Sequence, residues 1–191
     1  MTEIYLIRHG ETEWNAVGRF QGKLDSTLTN AGITQAKDCG ERLSALGIKF
    51  DTLIASPLGR TRQTASIVAS CGRFPEAQYD DRLAEVSVGS WDGLTQIDID
   101  AQWPGRLDGP TPFDWFFRSP DGESYEAAFE RATEWLGDAQ GKVVAISHGL
   151  IGRILRGAYL GLPKRDALSL PVPQDVIWRL AKGQMEAISV A

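Results

Sequence analysis

The sequence predicts an α/β fold, a three-layer α/β/α sandwich around a mostly parallel sheet of about six strands with an inserted lid. Three observations predict it. Two apolar runs, Ile4-Tyr5-Leu6-Ile7 and Val143-Val144-Ala145-Ile146, read as buried strands that lead into His9-Gly10 and His148-Gly149. Short strand patterns alternate with amphipathic helix patterns through most of the chain, which argues for parallel strands with helices on both faces. The last stretch reads as a hairpin with its turn at Lys182-Gly183.

The first strand spans Glu3–Ile7, and a polar loop from Gly10 to Leu28, with room for a helical turn, follows it. Thr29 then reads as an N-cap. Ile33, Ala36, Gly40, Leu43 and Leu46 recur at helical spacing, and Gly47 stops that helix. Asp51–Ala55 is a short buried strand. Ser56-Pro57 has the form of a cap with proline at the first helical position, opening a helix to about Ser70. A third strand lies at Ala77–Tyr79. The stretch from Glu85 to Asp121 is irregular and rich in aromatics among glycines and prolines. Residues 86–121 are therefore expected to form a lid within one domain spanning 1–191. A helix over Gly122–Asp138 presents Tyr125, Ala128, Phe129, Ala132, Trp135 and Leu136 on one face. Strand Lys142–Ser147, a helix to about Leu160, and the hairpin Val176–Ala181 with Met185–Val190 complete the order.

Composition narrows the function classes. The 191 residues carry a net charge of −5, which disfavours a nucleic-acid footprint, so any cationic site must be local. The two cysteines, Cys39 and Cys71, suggest neither a disulfide framework nor a zinc site. No basic and apolar leader precedes the first strand, and no apolar run reaches the ~18 residues of a membrane span. The expectation is a soluble, cytoplasmic protein. Apolar surface at the sheet edge or lid could support a homodimer.

The chemistry-bearing residues gather at predicted strand tips, where open α/β sheets bind ligands. His9 and His148 are the chain's only histidines, and both sit there. Arg8 supplies a planar fork matched to phosphate oxygens, and its charge should lower the proton affinity of His9. An unprotonated His9 can then attack phosphorus. Gly10 permits close backbone approach. Arg60 falls in the first turn of a helix, where a cation is unfavourable unless an anion lies beside it. A protonated His148 would add charge and a donor. Glu85 is flanked by apolar Leu83, Ala84 and Val86, an environment that suits a proton-donating carboxyl. A divalent metal between the histidines and a carboxylate is an alternative, but Arg8 and Arg60 would repel it.

These blocks, with their neighbours, resemble the histidine phosphatase superfamily in its phosphoglycerate-mutase-like branch. The matching stretches are Leu6-Ile7-Arg8-His9-Gly10-Glu11-Thr12 with Trp14-Asn15, Gln21-Gly22, Leu28-Thr29 with Gly32 and Gln35-Ala36, and Ser56-Pro57-Leu58 with Arg60 and Gln63-Thr64-Ala65. Glu85 with Gly89, Trp91 and Gly93, then Gly122-Glu123-Ser124, then Ser147-His148-Gly149 complete the series. One departure is Thr27, where the family commonly has proline. The resemblance implies His9 as a nucleophile that becomes phosphohistidine, with Arg8, Arg60 and His148 around the phosphoryl oxygens. Asn15, Gln21, Gly22 and Gly149 complete the phosphate-binding set, and Glu85 serves the leaving oxygen. It implies no metal and no cofactor, with a small-molecule phosphate ester as partner. Longer mutases of the family carry paired arginines in a larger insert. This chain has only the scattered Arg106 and Arg118 there, so hydrolysis is expected over mutase chemistry. A mutase-type phosphotransferase and a non-catalytic phospho-ligand module are the alternatives, with a phosphoprotein phosphatase a lesser one.

Overall fold

The computed structural model describes residues 2–109 and 113–190. The described residues form one six-stranded sheet. Its centre is β1 (Glu3–Arg8) paired parallel to β4 (Lys142–Ser147), with Arg8 in register with Ser147. On one side β2 (Thr52–Ala55) and β3 (Ala77–Tyr79) continue the parallel order. On the other, β5 (Val176–Ala181) runs antiparallel to β1 and forms the terminal hairpin with β6 (Gln184–Ser189).

Alternation along β1 builds the three layers. Ile4 and Leu6 face α5 (Tyr125–Asp138) and α6 (Gly149–Leu160), in a core with Ala128, Ala132, Ile151 and Leu155. Tyr5 and Ile7 face α2 (Asn30–Ala45) and α3 (Gly59–Ser70), in a core with Leu43, Ala65 and Val68. Because β1 and β4 are covered on both faces, they read as continuous apolar runs. Their tips, Arg8-His9 and Ser147-His148, then emerge side by side.

Helix ends depart from expectation where they serve the site. In α2, Thr29 caps as expected, accepting from the Gly32 amide at 3.0 Å. Ile33, expected on the buried face, is 40% exposed. The buried face instead runs through Gly32, Ala36, Cys39, Gly40 and Leu43. The reason is steric: a side chain on Gly32 would overlap the Glu11 backbone, and one on Gly10 would overlap the Gly32 backbone. This close approach presses the loop after β1 onto α2. Phe129, expected on the packed face of α5, is 36% exposed and stacks on Tyr125.

The helix after β2 begins at Gly59, not after Ser56. The Ser56 amide donates to the Ile146 carbonyl at 2.9 Å, so Ser56 still belongs to the strand ladder. The cap comes from outside the helix. Asp25 accepts from the Gly59 amide at 2.7 Å and the Arg60 amide at 3.2 Å.

The loop after β1 contains the short α1 (Glu13–Ala16). The expected lid is more ordered than its composition suggests. It holds α4 (Gln96–Gln102) and 3₁₀ turns at Gly89–Trp91 and Asp114–Arg118. Residues 110–112 of that lid lie outside the described residues. A capping box, in which Thr95 and Asp98 each bond the other's backbone amide, starts α4. The short α7 (Lys164–Leu168), which has no counterpart in the sequence reading, precedes β5. Among the described residues no helix is long and apolar enough to cross a membrane.

Candidate active site

The paired ends of β1 and β4 bring the two histidines together. Their ring centroids lie 5.2 Å apart, and each side chain is 2% exposed. His9 Nδ1 lies 2.8 Å from the Gly10 carbonyl oxygen. A carbonyl only accepts, so Nδ1 carries the proton and Nε2 keeps its lone pair. Burial holds the His9 pKa well below its ordinary 6.5, and the charges of Arg8 and Arg60 push it the same way. The sequence anticipated the Arg8 effect; desolvation is the larger cause.

His148 differs from expectation. Arg60 Nε donates to its Nδ1 at 3.1 Å, so the proton sits on Nε2, which donates to Ser56 Oγ at 2.7 Å. Burial, then Arg60, His9 and Arg8, hold its pKa well below 6.5. The free site therefore contains a neutral His148, not the expected imidazolium. Both of its nitrogens are engaged, and it buttresses Arg60 from behind.

Arg60 is 2% exposed, and the protein uses four of its five N–H groups. Besides His148, they go to the Leu24 carbonyl (2.7 Å), Asp25 Oδ1 (2.8 Å) and the Gly22 carbonyl (2.9 Å). One N–H is left for a ligand. Arg8 is less tied: Nη1 donates to the Val172 carbonyl at 2.8 Å, and its buried Nε has no partner among the described residues. Gly149 packs against that guanidinium; a Cβ there would sit 3.5 Å from Nε.

Asn15 accepts through Oδ1 from the Thr12 amide and from Gln174 Nε2, both at 3.3 Å, leaving its NH₂ without a protein acceptor among the described residues. Gln21 donates to Thr12 Oγ1 at 2.8 Å and accepts from Ser26 at 3.1 Å, so it braces the loop and has one N–H left. Gly22 adopts φ 47°, and a side chain there would run into Asp92.

Glu85 reaches the site by a route its neighbours did not suggest. Leu83 and Val86 are fully buried in the core, but the carboxyl turns away from them. It accepts from the Val86 amide (3.0 Å) and from the Leu150 (3.2 Å) and Ile151 (2.9 Å) amides. The carboxylate is thus docked on the N-terminus of α6, where the helix dipole favours negative charge, and not in the apolar setting its sequence neighbours suggested.

Arg8, His9, Asn15, Gln21, Gly22, Arg60, Glu85 and Gly149 line one open cleft of about 220 Å³; His148 lies behind its wall. Among the described residues no group of three His, Cys, Asp or Glu is placed to hold a metal ion. Cys39 is buried and Cys71 half-buried, both as free thiols.

Sequence reasoning missed four site residues. Asp25 and Gln174 come from loops and carry no local signal. Ser56 was read as a helix cap although its strand-tip position beside the histidine strand pointed inward. Arg153 also lines the cleft, and its place one turn after His148-Gly149 was the available cue.

A buried cluster of cations and neutral imidazoles at adjoining strand tips of an α/β/α sandwich defines an anion-handling site. The sequence pattern of the Histidine phosphatase superfamily (branch 1) matches residues 4–182, and the chain belongs to that superfamily. It is 40% identical over 174 residues to a probable phosphoglycerate mutase GpmB of Salmonella arizonae, covering 85% of this chain and 77% of that one. Among solved structures, Bacillus stearothermophilus YhfR superposes with a TM-score of 0.84 at 29% identity, over 99% of this chain and 96% of that one. A mycobacterial glucosyl-3-phosphoglycerate phosphatase in complex with VO3 gives 0.78 at 28%, over 94% and 90%. A phosphoserine phosphatase variant from Entamoeba histolytica in complex with phosphoserine gives 0.78 at 26%, over 99% and 96%.

Proposed function

We propose that the protein is a metal-independent phosphomonoesterase that acts on a small phosphorylated metabolite through a phosphohistidine. The observation that carries this reading is the His9 tautomer. Nδ1 keeps its proton and donates it in a hydrogen bond to the Gly10 carbonyl, so Nε2 is left as a nucleophile in a cleft flanked by Arg8 and Arg60. In the first step Nε2 attacks phosphorus and the ester P–O bond breaks, with Glu85 donating a proton to the leaving oxygen. In the second, Glu85 takes a proton from water as its oxygen attacks phosphorus. The P–N bond breaks, inorganic phosphate leaves, and His9 is restored. Arg8, Arg60 and the free amide N–H groups of Asn15 and Gln21 oppose the charge that builds on the phosphoryl oxygens. Neutral His148 keeps the Arg60 guanidinium in place.

Relatives named as phosphatases and relatives named as probable mutases both occur. One feature favours hydrolysis. The two lid arginines, Arg106 and Arg118, do not line the cleft, and Arg118 is spent on the Asp108 carbonyl and Asp114. The mutase reading rests on the 40% identity to GpmB. Assays of an aryl phosphate and of 3-phosphoglycerate, with chelator present, separate the two. The expected product is inorganic phosphate, with a loss of about 10³-fold or more in His9→Ala. Conversion of 3-phosphoglycerate to its isomer, without phosphate release, would establish the mutase instead.

A further inference from the structure

Glu85 has no helix or strand of its own. It lies in the loop between the 3₁₀ turns Asp81–Leu83 and Gly89–Trp91. An acid that must meet a leaving oxygen and then a water needs a fixed position, and regular structure does not supply one here. Its carboxyl is held by amides at the start of α6. Its backbone is held mainly from α5, by two residues the mechanism has not used.

Arg131 of α5 spends four of its five N–H groups on this loop and on Glu123. Nη1 donates to the Arg82 carbonyl at 2.7 Å and the Ala84 carbonyl at 2.8 Å, just ahead of Glu85. The Leu83 carbonyl between them accepts from Ser147 Oγ at 2.8 Å, which ties the same stretch to β4. Nε and Nη2 of Arg131 donate to the two carboxylate oxygens of Glu123 at 2.7 and 2.9 Å, a bidentate pair with side chains 18% and 17% exposed. Glu123 in turn accepts from the Ser87 amide at 3.3 Å, and its own amide donates to the Ser87 carbonyl at 2.9 Å. One ion pair thus grips the chain on both sides of the acid. Gly122 permits the approach, since a Cβ there would sit 2.9 Å from the Ser87 carbonyl oxygen. Ser124 caps α5, accepting from the Ala127 amide at 3.1 Å. The Gly122-Glu123-Ser124 stretch takes no part in the chemistry; its place in the fold is to bring Glu123 to Ser87. Neither Glu123 nor Arg131 lines the cleft, and with Glu85 they border a separate hollow of about 250 Å³.

We propose that Arg131 and Glu123 are positioning residues for Glu85: their ion pair clamps the loop on both sides of the acid and so sets where its carboxyl stands, without touching substrate. This deepens the phosphomonoesterase reading, with Glu85 as its acid and base, and rests on it.

A double-mutant cycle with Glu85 tests this. Arg131→Lys keeps a charge that helps to lower the pKa of His148, but a lysine cannot reach two carbonyls and two carboxylate oxygens at once. It should lower kcat on an alkyl phosphate by about 10-fold with KM within about twofold, because a misplaced acid costs rate and not binding. The loss should be smaller on an aryl phosphate. In the Glu85→Gln background the same change should cost less than about twofold, since there is no acid left to place. An equal loss in both backgrounds would mean that the pair only holds the fold, and would overturn the proposal. So would an unchanged kcat in folded Arg131→Lys. If that variant does not fold, Glu123→Gln carries the same test. It keeps the shape but offers Arg131 one acceptor oxygen in place of two, and should cost about threefold on the alkyl ester, again erased by Glu85→Gln. The readings fail separately. If Glu85→Gln lowers kcat and the clamp variants do not, the clamp alone falls. If Glu85→Gln leaves alkyl turnover intact, the acid assignment and the clamp fall together. A protein that turns over no ester sinks the phosphomonoesterase reading and both of these with it.

Discussion

The strand-tip cup and the lid over it are built by opposite means. In the cup, position is dictated by directed hydrogen bonds, many of them to backbone carbonyls. The Gly10 carbonyl sets the His9 tautomer, and the Gly22 and Leu24 carbonyls with Asp25 hold Arg60. In the lid, position is dictated by aromatic packing. Trp91 is fully buried and tilts against Trp103 at 6.2 Å, while Trp115 stacks on Phe116 at 3.9 Å and meets Phe20 edge-on at 5.1 Å. A cluster held by such bonds tolerates little variation in residue type, since each donor has one matching acceptor. A packed aromatic cluster tolerates volume-conserving exchange. On the proposed function, the chemistry lies with the hydrogen-bonded cup and the choice of substrate with the packed lid.

The most direct way to break this division is at Glu85, the proposed acid, which belongs to neither half. It follows the third strand but docks on α6 at the edge of the lid. Glu85→Gln should lower kcat by about 10²–10⁴-fold on an alkyl phosphate. The loss should be smaller on an aryl phosphate, whose leaving oxygen needs less protonation. An equal loss on both would mean that Glu85 does not serve the leaving group.

The second test removes the lid's centre. Trp91→Ala should cost about 3–5 kcal/mol of stability in denaturant unfolding, as expected for a large buried aromatic. Turnover of a small aryl phosphate by the fraction that stays folded should remain within about tenfold of wild type, because no atom of the cup bonds Trp91. Activity that vanishes in fully folded variant protein would show the two halves to be one unit.

The same division explains what the sequence made legible. The order of strands and the four long helices were readable because β1, β4 and the helices they carry have strong periodic patterns. Arg8, His9 and Arg60 were readable because strand tips and a helix start fixed them in register, whereas Glu85, in a loop, was singled out by its apolar neighbours and by the family resemblance. Hydrogen-bond direction was not. Nothing in Ser147-His148-Gly149 reveals that Arg60 donates to His148 and leaves it neutral, since the two residues meet only through β2–β4 pairing. Asp25 and Gln174 reach the site from loops whose paths depend on packing. Within the lid, α4 carries one buried apolar residue, Ile99, so hydrophobic period gave no signal; the Thr95–Asp98 capping box was the cue that could have found it.

Titration offers the finest test, because the two halves respond to acid in different windows. His9 and His148 both sit well below the ordinary 6.5, chiefly from burial and then from neighbouring arginines. Below about pH 6.5 the unfolded chain takes up protons on both imidazoles that the folded chain does not. Their contribution is therefore complete above about 6.5 and is lost as pH falls from there toward the depressed folded values. The limiting slope is about 2.7 kcal/mol per pH unit for two such groups. The lid acids behave otherwise. Backbone hydrogen bonds lower Asp98, through Thr95, and Asp121, through Ser90, below the ordinary 3.8. Their contribution is whole above about 3.8 and is lost only as pH falls through their lower folded values. Between these windows the cup should weaken while the lid's caps hold. Urea unfolding of the wild type at pH 7.5 and 5.5 should show a marked loss of stability at the lower pH, flattened in His148→Asn. The acid limb of kcat/KM should lie below pH 6.5, because His9 attacks only when neutral. An acid limb at or above 6.5 would mean that the imidazole is neither buried nor flanked by cations as described, and the contrast between cup and lid would lose its electrostatic half.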